Sequence, residues 1–336
     1  MAESDTMTDA PEQPYRGSRR FIWLTGGIVL AIAAYTVGWF YIGGQLEAQT
    51  LSAIEAMKAS GRTVACDKPE ARGFPFRLGL FCDRVAWEDK AQGVSVQAGA
   101  LRTAAQVYSP TKIISEVDGP ARLSIPGLPP MMLDWTLLHA SARLSKPLPQ
   151  AASMEATGLT VKDAAAAEVA TATNAQAHMR TNAGNLDIAA SLSGLKLSPV
   201  LTDGRALPEL DGVADLTLAD GAAWLLEKSR SLRNRSGTLR DATLNANGET
   251  GLHLTGPWSV DSDGRISGDF TLTIREPAKL AAILKDLSPA DARAIDQALT
   301  AVTLAGGIGN ATLPVKVKDG IVSIAFVTLG ALPLLP

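Results

Sequence analysis

Residues 21–42 run for 22 positions without a charged side chain. As an α-helix with a rise of about 1.5 Å per residue this segment is roughly 33 Å long, the thickness of a bilayer's hydrocarbon core. No other feature narrows the fold as much. The core helix of a water-soluble domain rarely reaches this length without a polar residue, so the segment predicts an uncleaved signal-anchor helix. Trp23 near one end, and Trp39 and Tyr41 near the other, stand where aromatic rings favour the headgroup layer as membrane anchors. Arg16, Arg19 and Arg20 precede the span, and the first basic residue after it is Lys58. By the positive-inside rule, residues 1–20 are a cytoplasmic disordered tail and everything after about residue 43 lies outside the cytoplasm. Ala31-Ile32-Ala33 mimics a signal-peptidase site, but the apolar run continues nine residues past it, which a cleavable leader does not need.

Cys66 and Cys82 fit that location, where two cysteines pair and closing a 17-residue loop adds about 3 kcal/mol. Thr63-Val64-Ala65 and Leu78-Gly79-Leu80-Phe81 read as short strands, so the bridge would join the legs of a hairpin. Free thiols are the alternative, and the absence of a Cys-x-x-Cys spacing argues against a redox pair.

Residues 43–61 read as a helical stalk, with Leu46, Ala53, Ile54 and Met57 on one stripe and Gly61 as its stop. From residue 62 to 336 the period changes to two, as in Leu216-Thr217-Leu218 and Phe270-Thr271-Leu272-Thr273-Ile274. Asp203-Gly204, Asp211-Gly212, Asn247-Gly248, Asp263-Gly264 and Asp319-Gly320 read as the turns between strands. The fold class is mainly β (α+β): an N-terminal transmembrane helix, then a large meandering antiparallel sheet with one apolar face and a few packed helices. The helices are a segment capped by Asp220 and carrying Trp224, another opened by Pro277, and a third started by Ser288-Pro289-Ala290-Asp291. Residues 164–177 read as weak strand or loop.

No chemistry is announced. With 31 Lys and Arg against 34 Asp and Glu, the net charge of −3 excludes nucleic acid as the main partner. His139, His178 and His253 lie at no metal-ligand spacing, and neither a metal nor a cofactor is expected. There is no Gly-x-Ser-x-Gly elbow, and Gly306-Gly307-Ile308-Gly309 lacks the third glycine of a dinucleotide loop, so no catalytic residues are assigned. Two groups remain as lipid or headgroup contacts. Phe74 and Phe76 flank Pro75 on one side of an extended chain next to Arg77, and are otherwise an aromatic plug for the sheet. Arg230, Arg233 and Arg235, with Lys228 and Arg240, form a basic cluster that is otherwise a solvated helix end.

Gly73-Phe74-Pro75-Phe76-Arg77 with Cys82, the run Ala105-Gln106-Val107-Tyr108-Ser109-Pro110 and the Gly-Leu-Pro-rich end at 330–336 resemble the bacterial domain of unknown function 2125 family. That resemblance implies an inner-membrane-tethered, single-pass envelope protein with a periplasmic body, and it carries over no catalytic residues. The Asp263-Gly264-Arg265-Ile266-Ser267-Gly268 turn, the anchor and the long sheet are also similar to AsmA-like envelope proteins, which implies a β-groove that shields acyl chains. Two expectations follow: a non-enzymatic protein that binds lipid-like ligands on the sheet's apolar face, or an envelope scaffold for unknown protein partners whose face is sealed by the helices at 277–303.

Overall fold

The computed structural model describes residues 17–59, 61–202, 204–227, 231–306, 309–324 and 327–335. Residues 1–16, and with them most of the expected tail, lie outside these, as do Lys228, Arg230, Asp203 and residues 307 and 308. Helix α1 (Gly17–Ala59) is unbroken, so anchor and stalk are one rod and Gly43-Gly44 does not interrupt it. Gly61 follows at φ 81° and donates its N–H to the Lys58 carbonyl at 3.0 Å, turning the chain back along the helix.

Among the described residues the sheet has 20 strands, all antiparallel to their neighbours. Its first ten are halves of five long paths: β1 (Arg62–Cys66) with β2 (Glu70–Arg72), β3 (Arg77–Cys82) with β4 (Val85–Asp89), β5 (Val94–Ala98) with β6 (Leu101–Gln106), β7 (Ser109–Val117) with β8 (Ala121–Ser124), and β9 (Met131–Asp134) with β10 (Leu137–Arg143). Cys66 opposes Val85 and Glu70 opposes Phe81, the same register on both sides of the gap. β11 (Ala151–Lys162) pairs with both halves of the fifth path. After it come β12 (Glu168–Asn182), β13 (Asn185–Leu197), β14 (Leu210–Leu218), β15 (Arg235–Ala246), β16 (Thr250–Val260), β17 (Ile266–Arg275), β18 (Ala311–Lys318), β19 (Ile321–Ile324) and β20 (Val327–Ala331). Every path between the first and the last pairs with the one before it and the one after it. The strand order, which the amino-acid pattern leaves open, is a pure meander.

The gaps fall at one level and make a crease. Val85 donates to the Gly99 carbonyl there at 3.2 Å, and Gly99 donates to the Asp118 carbonyl at 3.0 Å. In β11 the crease is Gly158, at φ 64°, where a Cβ would come within 2.5 Å of Thr136 Oγ1. Only glycine meets both demands.

Residues directly opposite in an antiparallel ladder share a face. One row runs Ile113, Ala142, Ala152, Met179, Ile188, Leu216, Leu239. The next runs Ala140, Met154, Ala177, Ala190, Ala214, Ala242, Leu254, Leu272, Leu313. A register shift between Leu239 and Ala242 lets both meet this face, as a one-residue bulge does. The opposite face is polar, with the row His139, Glu155, Gln176, Ser191, Val213, Thr243, His253, Thr273, Thr312. The expected division into one apolar and one polar face holds from β10 to β18, with Val213 the apolar exception in the polar row.

Helices cover only parts of the apolar face. In α2 (Gly221–Leu226), a Cβ at Gly221 would lie 2.4 Å from that of Leu186, and Leu186 and Leu218 are buried beside it. α3 (Pro277–Leu287) and α4 (Ala292–Gly306) form a helical hairpin that packs on β16 and β18 and buries Ala281 and Ala311. Three local expectations change. Residues 168–182 are the long strand β12, because pairing on both edges stabilises an Ala- and Thr-rich run that carries little pattern of its own. Asp211-Gly212 lies inside β14 and is not a turn. Asp220 and Ser288 precede helices without a side-chain capping bond.

Candidate functional site

The distinctive run at 73–77 is the turn from β2 to β3, and it is fastened to α1. Gly73 takes φ 117°, and its carbonyl accepts the Arg77 N–H at 2.9 Å to close the turn. The Phe74 ring lies 5.6 Å from Trp39, edge-on, and 5.8 Å from Phe40, stacked. The Tyr35 hydroxyl donates to the Pro75 carbonyl, and Trp39 Nε1 donates to the Arg77 carbonyl at 2.9 Å. One turn further on, Gly43 lets the helix approach Ala71, and Glu47 Oε1 accepts the Ala71 N–H at 2.6 Å. These contacts cover the edge strand β2, whose backbone groups would otherwise stand open.

Trp39 therefore departs from its expected place. It is 7 % exposed and turned into this junction, whereas Trp23 and Tyr41 are exposed. The contact stripe of the stalk is Trp39, Gly43, Leu46, Glu47, Thr50 and Ile54, while Ala53 and Met57 of the expected stripe face outward. Periodicity of apolar residues alone could not find Gly43 or Glu47, whose roles are close approach and hydrogen bonding.

Cys66 and Cys82 form a disulfide. It joins consecutive strand paths, the two legs that the turn at 73–77 connects, but its two half-strands β1 and β3 are not themselves paired. The bridge sits at the crease, where Asp67 donates to the Arg84 carbonyl at 3.0 Å. Beside it Arg72 stacks over the Phe81 ring at 5.0 Å and pairs with Glu70.

The basic cluster is not brought to this junction. Arg235 pairs with Glu227, and Arg240 pairs with Asp187 at 3.0 Å and with Asp215. Arg233 is exposed, and Arg230 lies outside the described residues. The centre of these charges is Asp187, buried on the polar face. Its Oδ1 accepts from Thr217 at 2.7 Å and from Arg240, and its Oδ2 accepts from Arg180 at 2.9 Å. Burial pushes the Asp187 carboxyl up, but these donors outweigh it and hold it at about 2. Sequence reading missed Asp187 because its partners come from three strands.

The three histidines stay apart. His253 lies 3.6 Å from Asp241 and His178 lies 3.4 Å from Gln176. Among the described residues no group of three His, Cys, Asp or Glu could hold a metal ion. The apolar face itself stays partly uncommitted. Met154 is 49 % exposed and Leu244 is 50 % exposed, and Ala190 and Ala214 between them are also exposed.

The sequence profile of a bacterial family, described as uncharacterized proteins conserved in bacteria (DUF2125), matches residues 39–333. The chain belongs to the DUF2125 family. The DUF2125 match opens at Trp39, the residue that locks the hairpin to α1, and runs through β20. It takes in the crease, the disulfide, both lids of the apolar face and the Asp187 cluster. α1, whose first half lies upstream of the match, is long and apolar enough to cross a membrane. No curated protein matches the chain.

Proposed function

We propose that this DUF2125 protein is a non-enzymatic, single-pass inner-membrane protein whose periplasmic sheet holds the acyl chains of lipid-like ligands against its apolar face. The observation that carries this reading is the half-exposure of Met154, in an apolar row that runs unbroken from β10 to β18, and of Leu244, which lies on the same face in the neighbouring row opposite Gly212 and Leu252. A soluble surface rarely leaves so extended an apolar face open without a partner for it. A sealed scaffold calls for α3 and α4 to bury the face, yet they pack at β16 and β18, α2 covers only Leu186 and Leu218, and Met154, Ala190, Ala214 and Leu244 stay exposed. Orientation rests on Arg19 and Arg20 before the span, and periplasmic placement agrees with the Cys66–Cys82 disulfide. The likeness to AsmA-like proteins belongs to this reading and is no part of the family assignment.

The test is mass spectrometry of the full-length protein extracted in mild detergent. Acyl lipids are expected to co-purify in fixed proportion to folded protein, and a folded preparation that returns free of lipid refutes the reading. Reporter fusions after residue 43 check the topology separately: they should be active only for exported reporters.

A further inference from the structure

We propose that the turn end of the first strand paths is sunk into the bilayer that α1 crosses, with a row of cations above it seated on anionic phospholipid headgroups. This rests on the reading of α1 as a membrane span. Depth follows from where the hairpin is fastened. Phe21 to Tyr35 covers only about 21 Å of helix, short of a hydrocarbon core of about 30 Å, which the helix completes near residue 41. Pro75, bonded to Tyr35, therefore lies roughly 9 Å inside the far boundary of that core.

Backbone groups in hydrocarbon are costly unless satisfied within the protein. Most of this turn's are: the Gly73, Pro75, Phe76 and Arg77 carbonyls accept from Arg77 N–H, the Tyr35 hydroxyl, Val107 N–H at 3.1 Å and Trp39 Nε1, and Pro75 has no N–H to satisfy, which leaves the Phe74 peptide groups and the Phe76 N–H without a protein partner among the described residues. The neighbouring turns at this end of the sheet follow β6 and β10, since β6 lies beside β3 and β10 beside β7. They carry Val107, Tyr108 and Leu144. Phe76 is 68 % exposed and Tyr108 is 74 % exposed, and Phe74, Val107 and Leu144 are exposed with them. Apart from exposed Ser145 and Lys146 in the turn after β10, the rim is an apolar lip continuous with the bare surface of α1.

Behind the lip, on the polar face, stand Arg77, Lys112 and Arg143. All three are exposed, and none has a carboxylate partner among the described residues. Lys112 is directly opposite Arg143, and like charges in that position repel unless an anion lies between them. A concavity of about 400 Å³ is lined by Arg77, Gln106, Lys112 and Ser115, and by Arg102, which is already paired with Glu116 and Asp118. Cations one layer above an apolar lip match lipid phosphates above acyl chains.

The full-length chain is reconstituted in phosphatidylcholine–phosphatidylglycerol vesicles with Tyr108→Cys carrying an environment-sensitive nitrobenzoxadiazole dye. The two native cysteines are bridged and stay unlabelled. Blue-shifted emission, quenched by spin-labelled lipid, is expected at this site, and water-like emission from the same dye at Gln92→Cys in the turn at the other end. Water-like emission at residue 108, quenched by aqueous iodide in protein that floats with the vesicles, overturns immersion. Protein that does not float refutes the span and this inference together. For the headgroups, thermal melting is compared in nanodiscs of phosphatidylcholine with and without phosphatidylglycerol. The wild type should melt roughly 5 °C higher with the anionic lipid, and the triple variant R77Q/K112Q/R143Q should lose that shift while melting normally in phosphatidylcholine. No shift in the wild type, an equal shift in the variant, or the same shift produced by inorganic phosphate overturns headgroup seating. A lipid-free apolar face leaves both results standing.

Discussion

Asp187 is a buried carboxylate whose oxygens are met by Thr217, Arg180 and Arg240, and it ties β12, β13, β14 and β15 together on the polar face. Asp187→Asn should lower stability by about 1–3 kcal/mol at neutral pH, as read by urea unfolding in detergent. The sign of the acid effect follows from the lowered titration. The stabilisation is complete above the ordinary carboxylate value of 3.8 and is lost as pH falls towards about 2. Wild-type stability should therefore drop more steeply than that of the variant between about pH 4 and pH 2, and parallel curves would count against the assignment. The Cys66–Cys82 bridge makes a second claim at this scale: Cys66→Ser with Cys82→Ser should cost about 3 kcal/mol, matched by reducing the wild type. The bridge was legible in the sequence because two cysteines beyond an export segment have one pairing. Asp187 was not, because a hydrogen-bonded cluster drawn from separate strands leaves no local spacing.

At the scale of elements, the junction between α1 and the β2–β3 turn fixes the sheet to the helix. Glu47→Ala removes the acceptor of the Ala71 N–H, and that amide should exchange with deuterium about tenfold faster for each 1.4 kcal/mol lost, with the far strands unaffected. Uniform acceleration across the sheet would show that the junction is not a local unit. Gly158→Ala should cost more than about 1 kcal/mol, since it places a Cβ against Thr136 in a backbone conformation that disfavours one. Element type was readable wherever period-two alternation met an x-Gly turn. Asp319-Gly320 takes positive φ at both positions of a two-residue hairpin turn, and Asn247-Gly248 takes positive φ at both positions within a three-residue one. β12 was hidden because alanine and threonine contrast too little in polarity to mark two faces. Asp211-Gly212 misled for the opposite reason: the same dipeptide also fits within a strand when it meets neighbours on both sides.

At the scale of the whole molecule, the N-terminal membrane-compatible helix and the sheet with unlike faces were both visible in the sequence, while strand order and crease were not. Alternation says which way a side chain points and nothing about which strand lies next to it. Leu244→Glu puts a charge on the exposed part of the apolar face. Because the site is half open, the melting temperature should stay within a few degrees of wild type while co-purifying lipid falls several-fold. Equal lipid content in the two proteins would remove the apolar face as the binding surface. The meander has a further consequence. Since no strand waits for a distant segment, hairpins can zip one after another outward from the tether as the polypeptide is delivered, and losing or duplicating an interior hairpin would shorten or lengthen the ribbon as one trims a tape, without rebuilding what is already in place.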